Sequence, residues 1–161
     1  MKLLTKNKHA FKSLKNKELL NVKIIEGKKI KPKTPKLNKY TAGVVGIDAG
    51  ELKTAGAAYY TATAASLMGP GLINIKYKKD IYNILSTLCP FAVFKDDNCY
   101  TDKATALIIG PGLINGCDLS VLEKGINTVI DAGGILELKK HIDLLELYGR
   151  NINLTPHAGE M

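Results

Sequence analysis

The stretch Ala106-Leu107-Ile108-Ile109-Gly110-Pro111-Gly112-Leu113 decides the fold, because a run of four apolar residues ends abruptly in a glycine-rich turn. An apolar run without polar alternation predicts a strand buried on both faces, as in a parallel sheet covered by helices. Glycines at the end of such a strand allow backbone N–H groups to come close to a ligand. A plain strand-to-helix turn is the alternative interpretation of this segment when it is taken alone.

Similar apolar runs recur along the chain and alternate with helical patterns. We predict strands near 44–47, 72–77, 91–94, 106–109, 127–131 and 151–154, and helices over 54–68, 80–88, 118–126 and 135–147. This alternation predicts an α/β fold with a mainly parallel sheet between two layers of helices. The length of 161 residues, with 45% hydrophobic and 24% charged residues, suits one globular domain.

Two helices carry more detailed predictions. In the helix over 118–126, Ser120 and Glu123 have the spacing of a capping box, in which both side chains satisfy N–H groups of the first turn. In the helix over 135–147, four apolar residues repeat at helical spacing and are predicted to face the sheet: Ile135, Leu138, Ile142 and Leu145.

The string Gly-Pro-Gly-Leu-Ile-Asn occurs twice, at 69–74 and 110–115. The first copy leaves a predicted helix and enters a strand, so we interpret Gly69 as a helix stop. The second copy leaves a strand and is predicted to face a ligand. The two copies are therefore not expected to be a structural repeat.

A polar turn follows the last predicted strand and runs from Thr155 through Pro156 and His157 to Glu160. In open α/β proteins the segment that leaves the carboxyl end of a strand lines the ligand crevice. Pro156 restricts its own backbone and that of Thr155, so the imidazole of His157 can be held in a fixed direction. A surface turn after an edge strand is the alternative.

Taken in order, these segments resemble the ADP-dependent NAD(P)H-hydrate dehydratases of the ribokinase-like superfamily. The motifs that carry the resemblance are Lys39-Tyr40-Thr41-Ala42-Gly43, Gly56-Ala57, Gly110-Pro111-Gly112-Leu113, Asp131-Ala132-Gly133-Gly134 and Leu154-Thr155-Pro156-His157-Ala158-Gly159-Glu160. The resemblance covers residues 37–161 and corresponds to the N-terminal part of a family domain. It implies a ribokinase-like three-layer αβα fold with a mainly parallel sheet, truncated before the nucleotide-binding half.

The resemblance implies a lyase of nicotinamide-nucleotide repair, which dehydrates NADHX and NADPHX to NADH and NADPH with ADP (or ATP) and Mg2+. The family's Gly-Thr-Gly-Asp loop, which carries the nucleotide anion hole and the catalytic Asp, is absent from these 161 residues. The catalytic residue is therefore expected beyond Met161, and this chain alone is expected to be inactive. A homo-oligomer or a separate C-terminal half is the expected partner.

By carry-over, the substrate contacts are Ala57, Gly112 and His157, and the phosphate or metal side of the crevice has Gly110 and Asp131. From the residues alone, an Asp131 that caps the helix at Ile135 is an alternative role. Asp48-Ala49-Gly50 departs from the family's usual Gly-Gly-Ser and places an extra negative charge near a proposed phosphate site.

Residues 1–40 hold 13 lysines and two glutamates, a net charge of +11, whereas the remaining residues sum to −3 of the total +8. We predict a poorly ordered basic leader over 1–36 and a domain over 37–161. The leader has no arginine and few aromatic residues, so a solvated surface segment is preferred over a nucleic-acid-binding arm. No secretory signal and no membrane span are expected, which favours the cytoplasm.

Cys89, Cys99 and Cys117 form no CxxC pair, and reduced thiols without a structural metal are expected. Two alternatives to the dehydratase remain open. One is a small-molecule kinase of the same superfamily, of the vitamin-precursor type. The other is a catalytically inactive fragment or binding subunit.

Overall fold

A computed structural model of the chain describes residues 38–97 and 99–160. Six strands alternate with helices along this part of the chain. The strands are β1 (Val44–Asp48), β2 (Leu72–Lys76), β3 (Val93–Lys95), β4 (Ala106–Ile109), β5 (Asn127–Ile130) and β6 (Ile152–Leu154). The α-helices are α1 (Ala55–Leu67), α2 (Lys79–Leu88), α3 (Gly133–Leu138) and α4 (Asp143–Tyr148), and two 3-10 helices span Ser120–Lys124 and Gly149–Asn151.

The strands form one six-stranded sheet in the order β3-β2-β1-β4-β5-β6, and every neighbouring pair is parallel. The chain first builds the sheet outward from β1 to β3 and then returns to build from β4 to β6. The order therefore reverses between β1 and β4, where the loops that follow two adjacent strands separate and leave a crevice. The predicted strands and the parallel sheet are confirmed.

Each face of the sheet packs against its own hydrophobic core, because successive side chains of a strand point to opposite faces. On one face Ile47 and Ile75 pack against the buried alanines of α1 and against Ile81 and Leu85 of α2. On the other face Leu107, Ile109 and Ile130 pack against the 3-10 helix and α3. The three-layer αβα arrangement is thus confirmed.

The predicted capping box at Ser120 and Glu123 is wrong. The segment is a 3-10 helix, and its side chains make no cap hydrogen bond. Instead the Ser120 N–H donates to the Asp118 carboxylate over 2.8 Å, and this bond together with the Ser120 hydroxyl lowers the pKa of Asp118. An aspartate two residues before the N–H forms an Asx turn, which satisfies the same donor locally.

The predicted helix over 135–147 is two short helices, α3 and α4. Ile135 and Leu138 are buried and Leu145 packs on the same core as predicted, but Ile142 is 62% exposed. After Leu138 the backbone bonds shorten to the i→i+3 pattern, with the N–H of His141 donating to the Leu138 carbonyl. This tighter turn changes the helical phase, so the apolar periodicity no longer points at the sheet.

The first Gly-Pro-Gly copy ends α1 as predicted. Gly69 has a φ of +71°, and its N–H donates to the Ser66 carbonyl. The predicted basic leader over 1–36 lies outside the described residues. Within the described part of the chain, no helix is long and apolar enough to cross a membrane.

Candidate functional site

The crevice at the carboxyl ends of β1, β2 and β4 holds a cavity of about 370 Å3. This lies within the range of small-molecule sites and at the point where the strand order reverses, the usual ligand position in open parallel sheets. Three loops supply its walls, and they follow β1, β2 and β4. The lining residues are Asp48, Glu51, Leu52, Lys76, Lys78, Asp80, Ile81, Leu113, Asn115, Gly116 and Cys117.

Asp48 lies at the floor of this cavity between two lysines. Its side chain is 2% exposed, with Oδ1 2.7 Å from Lys78 Nζ and Oδ2 3.3 Å from Lys76 Nζ. Lys78 also donates to the Gly50 carbonyl over 2.9 Å. Burial is the largest single influence and opposes the charge of Lys76, but the Asp48 and Asp97 carboxylates together outweigh it and raise the pKa of that ammonium.

The pairing follows from strand register. Ile47 of β1 lies opposite Ile75 of β2, so the next residues, Asp48 and Lys76, are neighbours at the carboxyl edge. The negative charge that the sequence places near the proposed phosphate site is therefore matched by two ammonium groups. Through these ion pairs Asp48 links the carboxyl ends of β1 and β2, and it adds no unpaired charge to the crevice.

Glu51 joins the loop after β1 to the loop after β4. Its Oε1 accepts the N–H groups of Ile114 (2.9 Å) and Asn115 (3.0 Å), and its Oε2 accepts Asn115 Nδ2 over 2.7 Å. These backbone bonds, from Asn115 and then Ile114, lower the pKa of the Glu51 carboxyl. A carboxylate that accepts three N–H donors is held in one position.

The same two loops meet again at the start of α1. Thr54 Oγ1 donates to the Gly112 carbonyl over 2.5 Å, and the Gly50 N–H donates to the Pro111 carbonyl over 2.8 Å. Gly112 has a φ of +69°, and a Cβ added to it would lie 2.6 Å from the Ala57 Cβ. Two of the predicted substrate contacts, Ala57 and Gly112, are therefore packed directly against each other.

Two further predicted residues, Gly110 and Asp131, lie next along the same edge of the sheet. A Cβ on Gly110, whose φ is +112°, would lie 1.9 Å from the Asp131 carbonyl oxygen, so only glycine allows this approach. The Asp131 carboxylate accepts the Thr155 hydroxyl over 2.7 Å. It makes no side-chain cap on α3, so the alternative role as a helix cap at Ile135 is wrong.

His157 is held by its own turn. The Gly159 N–H donates to Nδ1 over 2.9 Å, and Nε2 lies 3.1 Å from Glu160 Oε1. The other Glu160 oxygen accepts the His157 N–H over 3.0 Å. Since Nδ1 accepts a bond, the proton of the neutral ring belongs on Nε2, directed at the carboxylate. Glu160 is buried, whereas the His157 side chain is 73% exposed.

The thiol of Cys117, which lines the cavity, is not suited to catalysis. Burial raises the pKa of the Cys117 thiol to about 12, so it stays protonated and weakly nucleophilic at neutral pH. Cys89, Cys99 and Cys117 are free thiols. Within residues 38–97 and 99–160, no group of three or more His, Cys, Asp or Glu residues is arranged to hold a metal ion.

The five residues predicted from the sequence thus follow one edge of the sheet, along the exits of β1, β4, β5 and β6. We call this set the carboxyl-edge row: Ala57, Gly112, Gly110, Asp131 and His157. None of them lines the cavity. Sequence reasoning missed the Lys76, Lys78 and Glu51 contacts, although polar residues directly after the apolar strands β1 and β2 were a usable signal.

Comparison with solved structures identifies the class of this fold. A ribokinase-like superfamily protein from Enterococcus faecalis superposes with a TM-score of 0.67 at 21% identity, covering 81% of this chain and 51% of that chain. An ADP/ATP-dependent NAD(P)H-hydrate dehydratase from Bacillus subtilis, co-crystallized with ATP/Mg2+, superposes with a TM-score of 0.56 at 23% identity, covering 66% and 43%. The described residues therefore have the ribokinase-like fold.

Sequence comparison narrows this class to one family. The family model described as NAD(P)H-hydrate dehydratase matches residues 45–161. An ATP-dependent (S)-NAD(P)H-hydrate dehydratase of Ixodes scapularis is 29% identical over 144 residues, which are 82% of this chain. A bifunctional NAD(P)H-hydrate repair enzyme of Mycobacterium tuberculosis is 31% identical over 135 residues, covering 78% of this chain and 27% of that protein. The chain belongs to the NAD(P)H-hydrate dehydratase family.

The match covers only part of each relative. The chain spans about half the length of the Ixodes scapularis protein, 47%. The activity, substrates and partners of a whole family member are accordingly proposals for this chain.

Proposed function

We propose that this chain provides the substrate side of a nucleotide-dependent NAD(P)H-hydrate dehydratase, which returns NADHX and NADPHX to NADH and NADPH. The observation that carries the proposal is the carboxyl-edge row. It puts the three substrate contacts implied by the family on one edge of one parallel sheet, next to the crevice where such sheets bind ligands. The roles of Ala57, Gly112 and His157 in binding NADHX are part of the proposal.

The chain's own residues would bind and orient the hydrated nicotinamide ring. Ala57 and Gly112 form a surface with almost no side chain, against which the hydrated ring can lie close to the backbone. His157 offers an imidazole that is 73% exposed and held in direction by Glu160. Asp131, tied to Thr155, would hold the β5 exit against the turn that carries His157.

The nucleotide supplies the phosphoryl group that makes the ring hydroxyl a good leaving group. The relatives with this activity are named ATP-dependent, and the Bacillus subtilis enzyme ADP/ATP-dependent. We propose ADP or ATP with Mg2+ for the complete enzyme. Within the described residues no group of three or more His, Cys, Asp or Glu residues is arranged to hold a metal ion, and the sequence contains no Gly-Thr-Gly-Asp loop. Gly110 and Asp131 remain the proposed phosphate or metal side of the crevice.

A small-molecule kinase of the same superfamily receives no support from the family match, which names the dehydratase. We retain the proposal that a homo-oligomer or a separate C-terminal half completes the site, and that the protein acts in the cytoplasm. A binding subunit without activity of its own is the second candidate.

An absorbance assay tests the proposal. The purified 161-residue chain is incubated with NADHX, Mg2+ and ADP or ATP, alone and with the C-terminal half of the Bacillus subtilis dehydratase added in trans, and the return of NADH absorbance is followed. We expect turnover only in the mixture, because the chain lacks the loop with the family's catalytic Asp. Turnover by the chain alone would overturn the division of roles, and a folded mixed complex without turnover would favour the binding subunit.

A further inference from the structure

Glu51 stands out among the side chains that surround the crevice and that the proposed function does not use. It is the residue that bonds most extensively across the point where the strand order reverses. Its carboxylate comes from the loop after β1, and all three donors come from residues 63 or 64 positions later, after β4. The three bonds lie near the surface, and each gives an N–H donor to a charged acceptor.

These two loops also carry the proposed substrate contacts. Gly112 lies two residues before Ile114, and Ala57 lies in the first turn of α1, which begins after the loop of Glu51. The separation between Ala57 and Gly112 therefore depends on how the loops are held together. Besides the Glu51 bonds, the loops are tied by the Thr54 hydroxyl on the Gly112 carbonyl and by the Gly50 N–H on the Pro111 carbonyl.

Of these three sets of bonds between the two loops, the Glu51 bonds lie farthest along the loop after β4. They follow Leu113, which is buried and anchors the start of this segment. The side chains of Ile114 (64% exposed) and Asn115 are exposed, so burial does not fix these two residues. A segment with few buried apolar contacts opens at low free-energy cost unless hydrogen bonds hold it.

We propose that Glu51 is a positioning residue for substrate binding, which fixes the loop after β4 so that Gly112 meets the substrate beside Ala57. The inference rests on the proposed function and goes beyond it, because it assigns the geometry of the substrate surface to a side chain outside the family's motifs. Glu51 contacts no substrate in this scheme. It acts through the amides of Ile114 and Asn115.

The test compares Glu51→Ala and Glu51→Gln, with Glu146→Gln on the exposed side of α4 as the matched control. Glu51→Gln keeps a carbonyl oxygen for the two backbone N–H groups and loses only the bond from Asn115 Nδ2. Two readouts are taken well below the thermal midpoint of each variant. They are hydrogen exchange at the amides of Ile114 and Asn115, and the Kd for NADHX measured by calorimetry.

For Glu51→Ala we expect at least tenfold faster exchange at both amides, unchanged exchange in β1 and β4, and about tenfold weaker NADHX binding. Glu51→Gln should restore the affinity to within about threefold, and Glu146→Gln should match the wild type. Unchanged exchange at both amides in Glu51→Ala would show that Glu51 does not hold the loop after β4. Faster exchange with unchanged affinity overturns the positioning role.

Tighter NADHX binding by Glu51→Ala would also overturn the inference, because it would show that the carboxylate competes with the ligand for these amides. Failure of the wild type to bind NADHX is a separate result. It would remove the proposed function and the positioning role together, while exchange at the two amides would still decide whether Glu51 holds the loop.

Discussion

At the residue scale, the ion pairs of Asp48 with Lys76 and Lys78, called here the Asp48 cluster, should contribute strongly to stability. Asp48 is 2% exposed and pairs with both Lys76 and Lys78. Removing one partner of a buried ion pair leaves charges without compensation, at a cost of about 3–5 kcal/mol. We predict that Asp48→Ala lowers the free energy of unfolding by about 3 kcal/mol, measured by urea denaturation.

Asp97 provides the matched control for this prediction. It also pairs with Lys76, at 3.1 Å, but its side chain is 77% exposed. Exposed ion pairs contribute little, because water already solvates both charges. Asp97→Ala should therefore leave the urea midpoint nearly unchanged. An equal loss for both variants would show that the Asp48 cluster is no more important than a surface pair.

Glu51 gives a prediction about pH. Its pKa is lowered in the folded chain by the amides of Asn115 and Ile114 and, to a lesser extent, by Lys78. A carboxyl with a depressed folded pKa contributes stability that is fully present above its unfolded pKa, about 4.3, and is lost as the pH falls through the folded value. The stability difference between wild type and Glu51→Ala should thus be constant from pH 6 to 8.

The same difference should shrink as the pH is lowered from about 5 to 3, since protonation removes the charged acceptor from the wild type. Denaturant unfolding of both proteins at each pH measures it. A difference that grows toward low pH would mean that the protonated form makes the stronger contacts, contrary to the geometry of three N–H donors around one carboxylate.

At the scale of elements, Gly112 should be indispensable to the packing between α1 and the loop after β4. Its φ of +69° disfavours side chains, and an added Cβ would lie 2.6 Å from the Ala57 Cβ. Backbone strain and overpacking together predict a loss of roughly 2–3 kcal/mol for Gly112→Ala. Thermal or urea unfolding checks this value.

Gly56 is the control for this substitution. It lies at the start of α1, and a Cβ added to it would have no neighbouring atom within 4 Å. Alanine is the better helix former by about 1 kcal/mol. Gly56→Ala should therefore stabilise the protein, while Gly112→Ala destabilises it. The prediction fails if both substitutions shift the unfolding midpoint in the same direction.

The elements also show what the sequence can and cannot predict. The strands were predictable because runs such as Ala106–Ile109 are apolar throughout, as buried parallel strands require. The helix predicted over 135–147 was wrong in its continuity, because a shift to i→i+3 bonds near His141 leaves no clear signal in apolar spacing. Local hydrogen bonding decided that boundary, and Ile142 became exposed.

For the proposed site, the positions of single residues were predicted better than the contacts between them. The order of glycine motifs predicted that Gly110, Asp131 and His157 follow β4, β5 and β6, where the structure has them, and their roles stay proposals. The bonds of Glu51 to Asn115 and of Asp48 to Lys76 join residues that are distant in sequence, and they depend on strand register and loop shape. Neither the strand register nor the loop shape can be predicted from one sequence with the accuracy that a hydrogen bond requires.

At the scale of the whole described domain, the fold is a doubly wound sheet, and one edge of it carries the proposed substrate contacts. The loops that follow β1, β2 and β4 enclose the cavity, and the exits of β4, β5 and β6 extend the same edge toward His157. Ion pairs and hydrogen bonds tie each exit to its neighbour. Such cross-links favour a preformed substrate surface, which loses little conformational entropy on binding.

The measurement that tests the central claim most directly is a calorimetric titration of NADHX into the 161-residue chain and its His157→Ala variant. His141→Ala is the control, since His141 is also an exposed histidine but lies outside the carboxyl-edge row. We predict that the wild type and His141→Ala bind alike and that His157→Ala loses about 1–3 kcal/mol of binding free energy, the usual cost of one polar partner. Equal affinity of all three proteins, or no binding by the wild type, would contradict the claim that this edge receives the hydrated nicotinamide.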